Sequence, residues 1–468
     1  MGVEVYKTKP MSHQQKALEN SANQQYFAYF MEMGTGKTKV SIDNMTYLYH
    51  KKLINFVLVI APNSVYINWV DEIHNHSKAN VNIFRHKLDK KFYYKKDCLN
   101  YYLMNVEAFS HTAQVKKVLP IIKQYENNSC VIVDESTTIK NRSAKRTKNV
   151  IQTCKNVLYK RILSGFPVTK NPLDLFSQCD FLRPGLLGTE NYYVFRSTYC
   201  HLVPMTTPTG KVIQRPTKTY YNLEKLKPML DKFSFRALKK DCLDLPDKIY
   251  HTRLISMTKE QNEIYSDLKN FARTILRDKE ASYANKLTEI VKLHQVANGF
   301  LVTDDGTVQD IPCNKLSELH NVLDETEGKV IIFANYIYNI KQIQKSLQNK
   351  YGNDSAVVYY GDVSVQQRDK NVKLFQNDSN VQFFIGNPAT AGRGLTLTAA
   401  TTVIYFSNNF NLEERVQSED RAHRKGQTKA VNYINLICDN TIDKFVLHVL
   451  NHKLKVSAQT LGEDILNV

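Results

Sequence analysis

Tyr26-Phe27-Ala28-Tyr29-Phe30-Met31 runs directly into Glu32-Met33-Gly34-Thr35-Gly36-Lys37-Thr38, and a stretch free of Gly and Pro then continues to His50. An apolar run, a glycine turn, a Lys-Thr pair and a helix-compatible tail predict strand, loop and helix in that order. Gly34 and Gly36 allow backbone N–H groups to close around phosphate oxygens, Lys37 places a point charge on β and γ phosphates, and the Thr38 hydroxyl suits a Mg²⁺ ion. The dipole of the following helix adds to the attraction for an anion. The strict phosphate-loop pattern has a glycine five positions before Gly36, where this chain has Met31. On its own, the stretch therefore also fits a glycine turn ahead of an ordinary helix.

A second signal lies about a hundred residues on, in Cys130-Val131-Ile132-Val133-Asp134-Glu135. An apolar strand ending in two carboxylates belongs at the C-terminal edge of a parallel sheet, where α/β folds place their ligands. Asp134 would hold Mg²⁺ largely through water, and Glu135 would orient and deprotonate the attacking water. A surface acidic pair after a strand is the plainer alternative. Nucleotide hydrolysis needs cradle and base together, so the two signals in this order reinforce each other.

Strand-sized apolar runs recur on either side: 55–61, 99–104 and 160–164 in the first third, then 329–333, 356–360, 381–386, 402–406 and 431–436 toward the C-terminus. Strands spaced by helical segments predict parallel α/β sheets. The fold class expected is α/β, with two RecA-like lobes at 1–194 and 311–468. Residues 195–310 are expected to form a mainly helical insertion between them. That insertion opens on the Pro/Gly/Thr-rich stretch Pro204 to Pro216, predicted as a surface loop or hairpin. From Thr258 to Asn298 there is no Pro or Gly, and Ile264, Leu268 and Phe271 fall at i, i+4 and i+7, the mark of an amphipathic helix.

The 468 residues are 42% hydrophobic and 23% charged, which excludes a disulfide-stapled miniprotein and a disordered chain. No apolar run is long enough to span a bilayer, so no membrane partner is expected. The N-terminal MGVEVYKTKP lacks the apolar core of a secretory signal, so the expected compartment is the cytoplasm, a host's if the chain is viral. Eight cysteines are scattered without CxxC spacing, so no structural zinc is expected. A formal charge of +18 favours a polyanionic partner through phosphate neutralisation, although a general lysine bias raises charge in the same way.

The second lobe has no phosphate loop, since Gly328-Lys329-Val330 lacks the turn and the hydroxyl. It offers arginines instead. In Glu413 to Gln427, the residues Gln417, Arg421 and Arg424 fall at i, i+4 and i+7, so a helix would present all three on one stripe. A solvated basic helix face has the same pattern. A cradle in one lobe and transition-state arginines in the other would make hydrolysis depend on closure of the cleft between them, and such an arginine is worth about a thousandfold or more in rate.

With these residues assembled, the chain resembles a superfamily-two helicase motor, and most of all its Swi/Snf branch of double-stranded-DNA translocases, in a compact form such as bacteriophages encode. The resemblance covers nearly the whole chain. Gln14 resembles the family's adenine-reading glutamine, with Gln15 as the other candidate. Met33, Gly34, Thr35, Gly36, Lys37 and Thr38 are similar to the family loop, which also lacks a glycine at the Met31 position. Pro62, Asn63 and Ser64, with Asn68-Trp69, look like the strand-contacting motif of lobe one, and Asn105 resembles the next motif. Asp134-Glu135-Ser136-Thr137 matches the acidic motif, except that Ser136 and Thr137 stand where Ala-His is commoner. Ser164-Gly165-Phe166-Pro167-Val168-Thr169 resembles the motif that couples the lobes. Arg236, Lys239 to Asp241 and Leu245-Pro246 look like the hinge region, and Gln295 like a later turn. In lobe two, Gly361 and Arg368 match a DNA-side element. The stretch Asn387 to Ala400, with Thr390, Gly392, Gly394 and Thr398, resembles the motif facing both ATP and DNA. Gln417-Ser418-Glu419-Asp420-Arg421-Ala422-His423-Arg424-Lys425-Gly426-Gln427 is the most specific match.

The resemblance implies an ATP- and Mg²⁺-dependent hydrolase. Lys37, Glu135, Arg421 and Arg424 would be catalytic, Gln14 and Gly394 would join the loop in holding ATP, and Thr38 and Asp134 would serve the metal. Ser164, Gly165, Gln417 and Asp420 would couple hydrolysis to movement. DNA, duplex or branched, is the implied partner, contacted through its backbone by Pro62, Asn63, Ser64, Asn105, Arg368, Thr390 and Thr398. Three activities fit these residues: a translocase on duplex DNA, a helicase or branch-migration enzyme in which the Pro204 to Pro216 hairpin acts as a pin, and a DNA-binding scaffold with idle nucleotide residues. The basic runs Arg85 to Lys96 and Lys140 to Lys148 fit an extended DNA track and a solvated surface equally.

Overall fold

A computed structural model describes residues 5–63, 65–207, 210–277, 283–392 and 394–463. The chain divides into two units, Met1–Asp244 with Lys453–Val468, and Leu245–His452. No helix among the described residues is long and apolar enough to cross a membrane.

Among the described residues, nine strands lie in the first unit: β1 (Tyr26–Met31), β2 (Phe56–Ala61), β3 (Val81–Arg85), β4 (Leu99–Asn105), β5 (Ser129–Asp134), β6 (Tyr159–Leu163), β7 (Cys200–Thr206), β8 (Val212–Tyr220) and β9 (Ser234–Ala237). Seven form one sheet in the order β3-β4-β2-β5-β6-β1-β9, parallel throughout. Helices cover both faces, which is why the central strands read as unbroken apolar runs rather than alternating ones. Alternate residues divide cleanly between two cores. Ala28, Phe30, Leu58, Val131 and Ile162 face one, and Phe27, Tyr29, Val57, Ile132 and Leu163 face the other. Each Val, Leu, Ile or Phe among them taken from water contributes about 1.5–3 kcal/mol.

Among the described residues, eight strands belong to the second unit: β10 (Lys248–Ile255), β11 (Phe300–Val302), β12 (Val308–Asp310), β13 (Lys329–Phe333), β14 (Ala356–Tyr359), β15 (Phe383–Gly386), β16 (Ala400–Tyr405) and β17 (Val431–Cys438). Six make a second parallel sheet, β10-β17-β16-β13-β15-β14. Val330, Ile332 and Ile404 face one of its cores, Ile331, Phe333 and Val403 the other. Two RecA-like parallel sheets, each layered between helices, are the architecture expected from the sequence.

The expected helical insertion at 195–310 is a correction. It forms no body of its own: β9 pairs with β1 in the first sheet and β10 with β17 in the second, so the division falls at 244/245. Both strands are at sheet edges, and β10 is exposed or half-exposed over most of its length. An edge strand needs no apolar run, which hid both from pattern reading. The helices Lys259–Arg277 and Tyr283–Ala297 do form, and the Pro204 to Pro216 stretch is the antiparallel β7–β8 hairpin.

One buried charge ties the start of the fold together. Arg161 on β6 is fully buried and donates to the carbonyls of Ser21, Gln24, Gln25 and Lys160 and to Asn44 Oδ1. It braces the end of the helix Ser12–Ser21 and the turn into β1, where Ser21 O also accepts from Gln24 N and Gln25 O from Lys160 N. Arg161→Met, of similar length, removes the guanidinium donor from Gln24 O and Asn44 Oδ1, costing about 1–3 kcal/mol for each group it leaves unpaired. The expected result is a melting transition of the first unit lowered by roughly 5–10 °C, read by differential scanning calorimetry.

Candidate functional site

The loop after β1 sits against the helix Ser12–Ser21. Gly34 and Gly36 take φ of 85° and 87°, the left-handed region that glycine enters freely. A Cβ at Gly36 would lie 2.2 Å from the Gln14 amide nitrogen. That amide donates to Thr35 O at 3.1 Å, and the His13 ring contacts the same oxygen at 2.8 Å. Gln14 Oε1 in turn accepts from Met11 N at 3.0 Å. The loop is thus held by two side chains of one helix, His13 being a contributor with no recognisable sequence signal of its own. Gln15 points elsewhere, to Glu19 at 3.0 Å.

Lys37 opens the helix Lys37–His50, and its Nζ lies 3.6 Å from Glu135 Oε1, both side chains buried. The first-turn N–H groups of that helix have no intrahelical partner and face the same side as its dipole's positive end. Thr38 is half-buried beside them. Further along, burial pushes the Asp43 carboxyl up to about 6 against the pull of Lys39, 2.6 Å away.

At the end of β5, Asp134 Oδ1 accepts the Glu135 N–H at 2.9 Å, and Oδ2 accepts the indole N–H of Trp69 at 2.9 Å. Glu135 adopts φ 47° and ψ 61°, a left-handed conformation that costs a residue with a side chain about 1–2 kcal/mol. Strain of this kind persists where the surroundings over-determine it. It turns the Glu135 carboxylate back toward Lys37 while Asp134 is pinned by Trp69. Among the described residues no three His, Cys, Asp or Glu side chains group closely enough to hold a metal ion by themselves. The Thr38 hydroxyl and, through water, the Asp134 carboxylate are the groups here that would hold a Mg²⁺ ion, which would supply charge neutralisation to bound phosphates.

Two bridges join the acidic motif to Ser164–Thr169. Ser136 donates to Gln178 Oε1 at 2.6 Å, and Gln178 Nε2 donates to Pro167 O at 2.8 Å. Lys140 donates to Thr169 Oγ1 at 2.6 Å, and Thr169 donates to Asp174 Oδ2. A Cβ at Gly165 would meet Met33 at 3.3 Å, so the coupling motif touches the phosphate loop. Arg236 on β9 donates to Gly165 O at 2.9 Å and Phe30 O at 3.1 Å, and Glu463 holds it from behind at 2.7 Å. Gln178 and Asp174 lie just beyond the Ser164–Thr169 motif and Glu463 far from any motif, and none belongs to a motif itself. Only a three-dimensional arrangement reveals them.

Other expected residues are more scattered. Pro62 is buried and Asn63 exposed after β2, whereas Ser64 lies outside the described residues. Asn105 ends β4, its amide 3.4 Å from Glu107.

In the second unit, the single helical stripe expected for Gln417, Arg421 and Arg424 is corrected. The helix is Leu412–Glu419, and both arginines lie in the turns after it. Arg421 is 1% exposed; its Nε caps Gln417 O at 2.9 Å, one of the helix's terminal carbonyls, and its NH1 reaches Leu395 O at 2.9 Å. Folding back onto the last turn is what ends the helix there. Arg424 is half-buried and bonds Leu395 O and Thr396 Oγ1. Gly394 (φ 75°) is exposed, and Thr390 and Thr398 are half-buried near the same loop. Arg368 is stacked over Tyr359 at 5.4 Å, on the helix Val365–Asn377.

A buried charge cluster anchors this helix. Glu419 takes Arg415 Nε at 2.8 Å, Tyr250 OH at 2.8 Å and Lys248 Nζ at 3.3 Å. Burial alone would raise the Glu419 carboxyl, but Lys248 and Arg415 more than offset it and hold it below the usual range. Lys248 also lies 3.7 Å from Asp420. The edge strand β10 thereby fixes where the arginine turn begins.

The profile of the SNF2-related domain matches residues 28–301, and that of the helicase conserved C-terminal domain matches residues 314–426. The human DNA annealing helicase and endonuclease ZRANB3 is 27% identical over 443 residues, covering 92% of this chain and 38% of its own length. The uncharacterized ATP-dependent helicase MG018 of Mycoplasma genitalium is 27% identical over 447 residues, covering 93% and 40%. The chain thus spans about two-fifths of the length of these curated relatives. Neither is a phage protein, and they give the phage-like form no support. Among solved structures, the Sulfolobus solfataricus SWI2/SNF2 ATPase core in complex with dsDNA is 24% identical with a TM-score of 0.44, covering 98% of this chain and 96% of that one. With more than half of its length inside the first profile and the helicase profile following in order, the chain belongs to the SNF2-related ATPase family.

Proposed function

We propose that the chain is an ATP-driven motor that translocates on double-stranded DNA. The observation that carries this reading is the buried approach of Lys37 to Glu135 beside a two-glycine phosphate loop, in a chain of this family. The loop N–H groups and Lys37 bind the β and γ phosphates, and Gln14 reads the adenine once its amide leaves Thr35. A Mg²⁺ ion held by Thr38 and Asp134 would neutralise charge on those phosphates. Glu135 orients the attacking water and takes its proton. Arg424 supplies the cation that answers the charge building on the transferred phosphate, while Arg421 positions the Leu395 loop beside it. Asn63, Asn105, Arg368, Thr390 and Thr398 contact the DNA backbone, and the Ser136–Gln178–Pro167 bridge carries the state of the acidic motif to the coupling motif.

The test is ATP turnover with no nucleic acid, single strands, duplex, forked DNA and RNA, with Lys37→Ala as the inactive reference. Stimulation by duplex is the expected result, and no turnover on any polymer overturns it. Dependence on a fork would favour the second reading, a helicase or branch-migration enzyme, which the exposed β7–β8 hairpin supports.

Trp69 positions Asp134 without touching nucleotide. Trp69→Phe keeps an apolar ring and removes the N–H, so kcat is expected to fall about tenfold with KM for ATP little changed. A Mg²⁺ titration of the rate should need more metal to saturate. Equal changes in kcat and KM would point to a general packing defect.

A further inference from the structure

The β7–β8 hairpin is anchored only at its base. Tyr199 and Cys200 belong to a core of the first unit, and Leu202 and Tyr220 pack against it. Beyond Leu202 the ribbon extends about 15 Å at a strand's rise per residue, exposed along most of both strands. Pairing puts Val203 opposite Arg215 and Met205 opposite Ile213, so these four share one face. Arg215 reaches across it to the Met205 sulfur at 3.6 Å. Val203, Met205 and Ile213 are each more than a third exposed, an apolar strip crossed by the Arg215 side chain.

Two features limit what covers it. Pro204 and Pro216 remove backbone donors from the two strands, which opposes addition of a further strand. From residue 191 to 223 there is no Asp or Glu, while Arg196, Lys211, Arg215 and Lys218 are all present. The hairpin base is more positive still. Burial first, then the ammonium groups of Lys170, Lys140 and Lys218, push the Lys453 ammonium below its ordinary range against the opposing pull of the Asp174 carboxylate. An apolar face bordered by cations and barred from strand pairing matches a nucleic acid, in which an exposed base pair offers an apolar surface between two phosphate rows.

We propose that the hairpin reads DNA branch points: its Val203–Met205–Ile213 face stacks on the terminal base pair at a fork or frayed end, while Lys211 and Arg215 hold the flanking phosphates. This rests on the DNA-motor reading and adds a substrate preference to it.

Binding of the full chain is measured by anisotropy, without nucleotide, to a forked oligonucleotide and to a covalently closed circular duplex, which has no ends. The wild type is expected to bind the fork about tenfold more tightly. M205E/I213E, changed at exposed positions, should lose that preference while its affinity for the circle and its circle-stimulated ATP turnover persist. K211S/R215S should lower the salt slope of fork binding by about two phosphates' worth. No fork preference in the wild type, or a preference that survives M205E/I213E, overturns the proposal, the latter outcome being the one expected of a protein-docking face. Equal loss on fork and circle overturns it too. Failure of every DNA to stimulate turnover would sink the motor reading, whereas the binding comparison still decides the hairpin.

Discussion

Glu135→Gln is expected to bind ATP and Mg²⁺ as the wild type does and to hydrolyse about 10²–10⁴ times more slowly, the span that a positioned general base contributes. The amide keeps the shape of the side chain, so its left-handed backbone and the fixed position beside Asp134 are preserved. What is lost is the capacity to accept a proton, together with the anion that faces Lys37 at 3.6 Å. With that attraction gone, Lys37 is freer to serve the phosphates, and nucleotide affinity should hold or rise. Single-turnover hydrolysis beside equilibrium binding of a fluorescent ATP analogue separates the two effects. Wild-type turnover by this variant would take Glu135 out of the base role, and lost binding would make it a structural partner of Lys37.

Arg424→Ala is expected to cost about 10³ in kcat or more, the range of arginines that act in trans on a transferred phosphate, with little change in ATP affinity. Its guanidinium is half-buried and bonded to Leu395 O and Thr396 Oγ1, contacts that a mobile cation exchanges readily. Arg421→Ala should behave differently. Burial and two backbone carbonyl bonds make that residue a strut, so its loss should lower the thermal stability of the second unit as well as the rate. Comparing the two variants by kcat and by melting temperature distinguishes chemistry from scaffolding. Arg424→Ala with matched losses in rate and melting temperature would assign it the strut role instead.

Much of this molecule was readable in one dimension because its central strands are covered on both faces. Such strands appear as continuous apolar runs, and the runs at 26–31, 55–61 and 329–333 mark β1, β2 and β13 almost residue for residue. The phosphate loop and the acidic pair were legible for a chemical reason: glycines, Lys-Thr and adjacent carboxylates have few other uses in that order. What stayed hidden has physical causes too. β9 and β10 are edge strands with little to bury, so they resembled the helical segments beside them. The helix carrying Gln417 stops because Arg421 bonds back to its last turn, a contact invisible to periodicity. Trp69 and Asp134 are 65 positions apart, and Arg236 and Glu463 are 227 apart, so neither pairing leaves a local trace.

The first unit is discontinuous in sequence, comprising Met1–Asp244 and Lys453–Val468 with the second unit between them. During synthesis, the seven strands of its parallel sheet leave the ribosome long before Leu461 arrives to join their core and Glu463 to meet Arg236. A nascent chain therefore has the loop after β1 and its neighbour Gly165 in place before Arg236 gains the Glu463 carboxylate behind it. A nonsense codon just after His452 would spare every strand of both sheets yet leave the Arg236 guanidinium without that carboxylate. Loss of the tail would then register at the catalytic loop rather than at the terminus.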